Sequence, residues 1–266
     1  MQKATRLSFL NKKYLIAISG LAVAIIVLLG LGINAAIYKR AIKRAENLVA
    51  KGYSSVALEE LSCYRKRMTK TERGCALYIS AAFHARDVEK LQWASQKCIE
   101  SGIDIPEATI GQAAAFEFTG REQEALQLLN NSLKKFEKVP GVHFRIATIL
   151  RRQNNTESAV AAFLAASRLA PKNQDILVES LSYLISVSKW KEAREVADFL
   201  RTVETDNPAL KLLIARALKQ GGDPIGAHNL VEQAKQLLKD RPPETKAAIE
   251  KAFSDVITES KVEIKN

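Results

Sequence analysis

Catalytic signatures are what this chain of 266 residues most plainly lacks. It has no GxSxG elbow, phosphate loop, HExxH pair or dinucleotide fingerprint, so the common hydrolase, phosphotransfer, zinc-protease and dehydrogenase readings lose their central residues. Cysteine is scarce, at three (Cys63, Cys75 and Cys98), and no CxxC pair is present to hold zinc or act as a redox centre. Either Cys63–Cys75 or Cys75–Cys98 is open to disulfide pairing in an oxidising compartment, and small apolar core residues are the simpler expectation. The histidines His84, His143 and His228 stand far apart with no i,i+4 partner, leaving a general base without a nucleophile or an orienting group. No enzyme activity, metal site or cofactor is therefore expected.

Proline and glycine are also few, at seven and twelve, which argues against long disordered stretches. Aromatics make up only 6% while alanine is frequent, a composition that suits close-packed helices rather than strands. The formal charge of +11 first suggests nucleic acid, but its distribution argues otherwise. Residues 1–13 carry +4, residues 38–71 carry +6, and the 195 residues that follow carry only +1. A nucleic-acid binder would spread its basic residues along a binding face. Here they flank an apolar segment.

That segment, Tyr14 to Tyr38, has 25 residues and no formal charge. A spanning helix needs about 20 apolar residues, so a membrane helix is expected, with Tyr14 and Tyr38 as interfacial aromatics. A cleaved signal peptide would have a core of roughly 7–15 residues and a small-x-small exit, and Ile33-Asn34-Ala35-Ala36 fits that poorly. The flanking charges are nearly balanced. The short basic tail favours a cytoplasmic N-terminus at a bacterial-type inner membrane, with the following domain periplasmic and the opposite orientation kept open.

Residues Pro140 to Asn173 read as two amphipathic helices joined at Gln153-Asn154-Asn155-Thr156, with Thr156 as N-cap and Glu157 in the first turn. Neither helix can bury its apolar face alone, so similar neighbours are expected on each side. Stepping by 34 residues puts unit starts at Tyr38, Glu72, Pro106, Pro140, Gln174 and Pro208. The eighth positions are then Ala45, Ile79, Ala113, Ala147, Leu181 and Ala215, and the twentieth are Ala57, Leu91, Ala125, Ala159, Ala193 and Ala227. The pattern resembles the tetratricopeptide repeat family, whose units prefer small residues at positions 8, 20 and 27, an aromatic at 24 and proline at 32. The fourth unit matches with Ala147, Ala159, Phe163, Ala166 and Pro171. No unit has the family's tryptophan at position 4, and the second, with Ile79 and Leu91 at its small positions, departs furthest.

The resemblance implies an all-α, right-handed α-solenoid of six helical hairpins over 38–241. A capping helix follows at 242–260, with Ile249, Ala252, Phe253, Val256 and Ile257 on one face. Residues 1–13 are then a basic tail, 14–38 the transmembrane helix and 261–266 a second tail. The chain can run as one helix from Gly32 to Gly52, setting Lys39, Arg40, Lys43 and Arg44 near lipid headgroups. The turn Arg65-Lys66-Arg67 would return to the same level, completing a membrane-proximal basic collar.

Carried across residue by residue, the family's groove-facing positions select Phe83, His84, Phe118, Phe144, Arg145, Arg151 and Arg152. Aromatics with arginines suit a peptide or helix with apolar anchors and some acidic character. The family's carboxylate clamp is absent, since Ile42, Glu46, Leu77, Glu107 and Gly111 stand at its positions. The expected function is a membrane-tethered scaffold for a protein partner, in contact with membrane lipids and not with nucleic acid. Its setting would be assembly or quality control of a membrane or envelope complex. The alternatives are a cytoplasm-facing regulator of envelope-lipid synthesis, or a non-catalytic subunit of an enzyme complex.

Overall fold

The computed structural model of the chain describes residues 34–258. The basic tail, the expected transmembrane helix except for residues 34–38, and the tail 261–266 lie outside the described residues. Among the described residues every regular element is a helix, and none is long and apolar enough to cross a membrane. Helix α1 covers 34–50, α2 Ser54–Ser62, α3 Arg65–Met68, α4 Glu72–His84 and α5 Val88–Glu100. Then come α6 Pro106–Phe118, α7 Glu122–Phe136, α8 Pro140–Arg152, α9 Thr156–Leu169 and α10 Gln174–Ser186. The remainder are α11 Trp190–Leu200, α12 Pro208–Gln220, α13 Pro224–Lys239, α14 Pro243–Ala252 and α15 Ser254–Thr258.

Successive helices pair as antiparallel hairpins, with α4 on α5, α8 on α9, α10 on α11 and α12 on α13. Close approach depends on small side chains. Ala45, Ala113, Ala147 and Ala215 are fully buried in leading helices, as are Ala57, Ala125, Ala159 and Ala193 in the following ones. The turns share one geometry. Gly52, Arg86, Gly120, Asn154, Ser188 and Gly222 all have φ between 54° and 88°, the left-handed region. In each case the next residue's N–H returns to a carbonyl five residues back, as in Asn155 to Leu150 at 3.0 Å and Asp223 to Leu218 at 2.7 Å. This is the Schellman closure, which satisfies carbonyls orphaned by the helix end. Arginine and serine in left-handed backbone cost about 1–2 kcal/mol each, so the turn is imposed by the packing of the helices it joins. At the α8–α9 turn the N-cap is Asn155, which accepts from the Ser158 N–H, and Thr156 is the first helical residue rather than the cap.

The fold gathers into two units, one up to Ala115 and one from Phe116 onward. The first has a core built from Leu58, Leu61, Met68, Tyr78, Ile79 and Leu91. Tyr38 belongs to this core. It is 8% exposed, and its hydroxyl donates to the Met68 sulfur at 3.4 Å. It does not present an interfacial ring to solvent, because Tyr64 and the Arg67 guanidinium cover it, 5.6 and 4.0 Å from its centroid. Arg65, Lys66 and Arg67, expected as a turn, lie in the short helix α3. Cys75 and Cys98, both fully buried, form a disulfide joining α4 to α5. Closing a loop of this size in the unfolded chain contributes on the order of 3 kcal/mol. Cys63 is exposed and unpaired.

The large residues Ile79 and Leu91 occupy positions that suit alanine, and Gly111 in α6 accommodates them. A Cβ added to Gly111 would lie 2.5 Å from Ser95 Oγ, 2.6 Å from Ile79 Cγ2 and 3.4 Å from Leu91 Cδ1.

The second unit buries Leu129, Ile149, Phe163, Leu177, Leu181, Leu184, Leu200 and Leu212. The expected continuous helix over 242–260 is broken at Phe253. Helix α14 buries none of its residues, and Val256 of α15 is the one described apolar side chain beyond Leu238 that is fully buried.

Gly111→Val is expected to destabilise the first unit by about 2–3 kcal/mol, since overpacking of a full site costs that much. Adding Ile79→Ala should recover part of the loss through a shared volume. Urea unfolding of the single and double variants checks this, and a double variant no more stable than Gly111→Val would remove the steric account.

Candidate partner-binding face

The seven residues expected to line a groove fall into two groups. Phe83 and His84 close α4 in the first unit, their rings 5.3 Å apart and edge-on, with Phe83 half-buried against that unit's core. Phe118, Phe144, Arg145, Arg151 and Arg152 belong to the second unit, and four of them share α8.

On α8 the Phe144 ring is half-buried and meets Phe163 edge-on at 5.8 Å. Phe163 is fully buried and lies 5.0 Å from Tyr183. The three rings step from α8 through α9 to α10, so Phe144 is backed by rigid aromatics that bury a large area each. Phe118, at the end of α6, stays 42% exposed. His143 is turned away to backbone, its Nε2 donating to the Glu137 carbonyl at 2.7 Å.

The arginines are engaged within the unit. Glu117 is the centre: its side chain is 4% exposed, it accepts from Arg152 Nη2, and its Oε1 lies 3.5 Å from Arg145 Nε. Arg152 also pairs through Nε with Glu122 at 2.8 Å. Burial, above all, pulls the Arg145 guanidinium below its ordinary value; the Glu117 charge opposes that and Arg152 adds to it. For Arg152 burial acts the same way, but hydrogen bonds and charge from Glu117 and Glu122 outweigh it and hold the guanidinium above its ordinary value. Arg151 Nη1 donates to Glu179 of α10 at 2.5 Å, and its guanidinium carbon lies 5.9 Å from the Phe163 centroid. The face around Phe144 is therefore a half-buried aromatic among neutralised ion pairs, not an open cationic surface. Sequence reasoning selected the arginines and missed Glu117, Glu122 and Glu179. The available signal was an acid about one repeat before Arg152 and another 28 residues after Arg151.

Next to this, α10 and α12 bound an open cleft of about 530 Å³ lined by Asp175, Val178, Glu179, Leu210, Leu213 and Phe253.

The basic collar residues lie in the first unit, on α1 and α3. Arg67 stacks on Tyr38 and so meets the α1 cluster, while Arg44 pairs with Glu60 at 3.0 Å and Arg65 turns to Trp93 at 5.6 Å. Lys39, Arg40, Lys43 and Lys66 are exposed.

No family model matches the sequence, and no curated protein matches it. Solved structures do. The fold is similar to that of PilF from Pseudomonas aeruginosa, at 15% identity and a TM-score of 0.55, covering 80% of this chain and 96% of that one. It is also similar to the C-terminal part of a TPR repeat-containing protein from Cytophaga hutchinsonii, at 10% identity and a TM-score of 0.56, covering 84% and 90%. At these identities the likeness speaks for fold: the described chain is an all-α array of helical repeats of the tetratricopeptide type.

Removing Glu117 takes the acid away from a guanidinium that is only 19% exposed. Glu117→Ala is expected to cost about 2–3 kcal/mol, somewhat under the 3–5 of a fully buried pair because Arg152 remains partly solvated. A urea midpoint within error of the parent protein would show that the cluster adds nothing to stability.

Proposed function

We propose that this chain is a membrane-tethered scaffold that holds a protein partner on the leading-helix face of its second unit. Its setting would be assembly or quality control of a membrane or envelope complex. The half-buried Phe144 ring carries the reading. It packs on Phe163, which also meets Tyr183 and the guanidinium of the Arg151–Glu179 pair, the combination of rigid aromatic and polar rim that concentrates binding energy at interfaces. Arg145 and Arg152 serve the fold through Glu117, so the partner is recognised chiefly by its apolar anchor. The likeness to tetratricopeptide-type structures supports a non-catalytic role.

The tether would lie within the uncharged segment 14–38, ahead of the packed Tyr38, and is flanked by +4 on one side. The reading of its orientation is supported by the buried Cys75–Cys98 disulfide. Disulfides persist in oxidising compartments, which favours a periplasmic repeat domain and disfavours a cytoplasm-facing regulator. In that setting the collar of Lys39, Arg40, Lys43, Arg44, Arg65, Lys66 and Arg67 would meet anionic headgroups chiefly through the exposed Lys39, Arg40, Lys43 and Lys66, each contributing about 1 kcal/mol near the surface.

Phe144→Ala combined with Arg151→Glu is expected to reduce partner recovery from membranes at least tenfold, while helix content by circular dichroism stays unchanged. An identical set of co-purified proteins would remove this face from consideration. A phosphatase reporter that is active only in the periplasm, fused after Asn266, is expected to be active. Activity from a cytoplasm-specific reporter at the same point would reverse the orientation.

A further inference from the structure

The last described helices meet the body of the second unit at one corner. Beneath α14 lies an open cleft lined by Asp206, Asn207, Pro208, Arg241, Thr245 and Ile249, so the helix stands off from α12 along most of its length. Past the break at Phe253 the chain turns onto the leading-helix face. Arg216 of α12 then engages it in three ways. Its guanidinium carbon lies 4.7 Å from the Phe253 centroid, its Nε and Nη2 donate to the two Asp255 oxygens at 2.9 and 2.5 Å, and Nη2 also donates to the Ala252 carbonyl at 2.9 Å. Lys219, one turn further along α12, donates from Nζ to the Asp255 carbonyl at 3.1 Å. Val256 is 1% exposed, and Phe253 forms one wall of the cleft between α10 and α12.

This arrangement has the form of ligand recognition. An aromatic, a carboxylate two residues on and two backbone carbonyls are each met by a cationic side chain of α12, and the aliphatic one residue further is buried. Among the described residues the attachment buries little, since α14 buries none of its residues and the carboxylate that pairs with Arg216 is 54% exposed. Segments with so little buried surface open readily without global unfolding.

We infer that Arg216, Lys219 and the adjoining α10–α12 cleft form a binding site for a short helical segment ordered aromatic, any residue, carboxylate, aliphatic. Residues 253–256 occupy this site in cis, and a partner segment of the same chemistry displaces them. The incoming segment takes over the same ion pair, ring stacking and aliphatic burial that the chain's own segment gives up. The exchange is therefore governed by the partner's concentration against the local concentration of the tethered segment. The inference rests on the reading that the leading-helix face of the second unit binds protein, and it names the chemistry of the bound segment.

The test uses the full chain and a fluorescent peptide spanning residues 243–258, read by anisotropy. Asp255→Lys in the chain turns the carboxylate into a repelling cation beside Arg216 and frees the site, so the variant is expected to bind the peptide at least tenfold more tightly than the parent chain. Adding Arg216→Glu rebuilds the internal pair with reversed charges, and peptide binding should be lost. Equal affinity, or no binding, in the parent and Asp255→Lys chains overturns the inference. Hydrogen exchange on the unmodified chain gives an independent readout. Excess peptide should speed exchange of amides in 243–258, and unchanged rates would sink the displacement step even if the variants fold poorly. Phe144→Ala, which tests the wider partner face, should leave this peptide's affinity unchanged, so either reading can fail alone.

Discussion

Two helices can share a core only if the chain between them reverses tightly and leaves their backbones free to approach, and every other feature of this molecule is arranged around that requirement. The reversal is made by one left-handed residue per hairpin, recurring at a spacing of 34 from Gly52 to Gly222. Glycine meets the requirement without cost, asparagine nearly so, and Arg86 and Ser188 do it under strain. The strained turns persist because the helices on either side bury enough apolar area to fix the loop, burial of a leucine-sized side chain contributing roughly 1.5–3 kcal/mol. Local preference yields to packing at those two positions.

Volume obeys the same logic. Where alanine lines the approach of two helices, a neighbouring side chain can be large, as with the fully buried Phe163 one turn from Ala159 on α9. Where Ile79 and Leu91 take the place of alanine, the helix that follows supplies Gly111. A larger residue on one helix is met by a smaller one on the next, which is how close-packed interiors tolerate substitution. Ser95 records the tightness of this site, for its hydroxyl is buried without a hydrogen-bond partner.

The repeat period and the identity of the fold were legible because they depend on backbone approach, and backbone approach selects for alanine in a way that survives in a single sequence. Side-chain partnership was not legible in the same way. Arg145, Arg151 and Arg152 look like a basic face when α8 is read alone, and become three ends of ion pairs once the acids of α6, α7 and α10 stand beside them. The turn at Asn154-Asn155-Thr156 failed by one residue for a related reason: two candidate caps lie side by side, and the left-handed Asn154 decides between them. Arg86 and Ser188 carry no compositional sign of a left-handed turn at all.

The distribution of charge in the second unit bears on how it recognises anything. Glu117 draws two guanidinium groups inward, and Glu179 holds a third against Phe163. Each of these cations is costly to redirect towards a ligand, because the acid left behind is partly or wholly desolvated. Arg216 differs, since its acid is 54% exposed and comes from the segment that follows α14, a helix with no buried residue. A cation whose counter-ion can leave with its own segment keeps its pairing capacity while remaining exchangeable. Among the arginines of the leading helices in this unit, Arg216 is the one whose acid comes from the last described helix, and the proposed exchange draws on that difference.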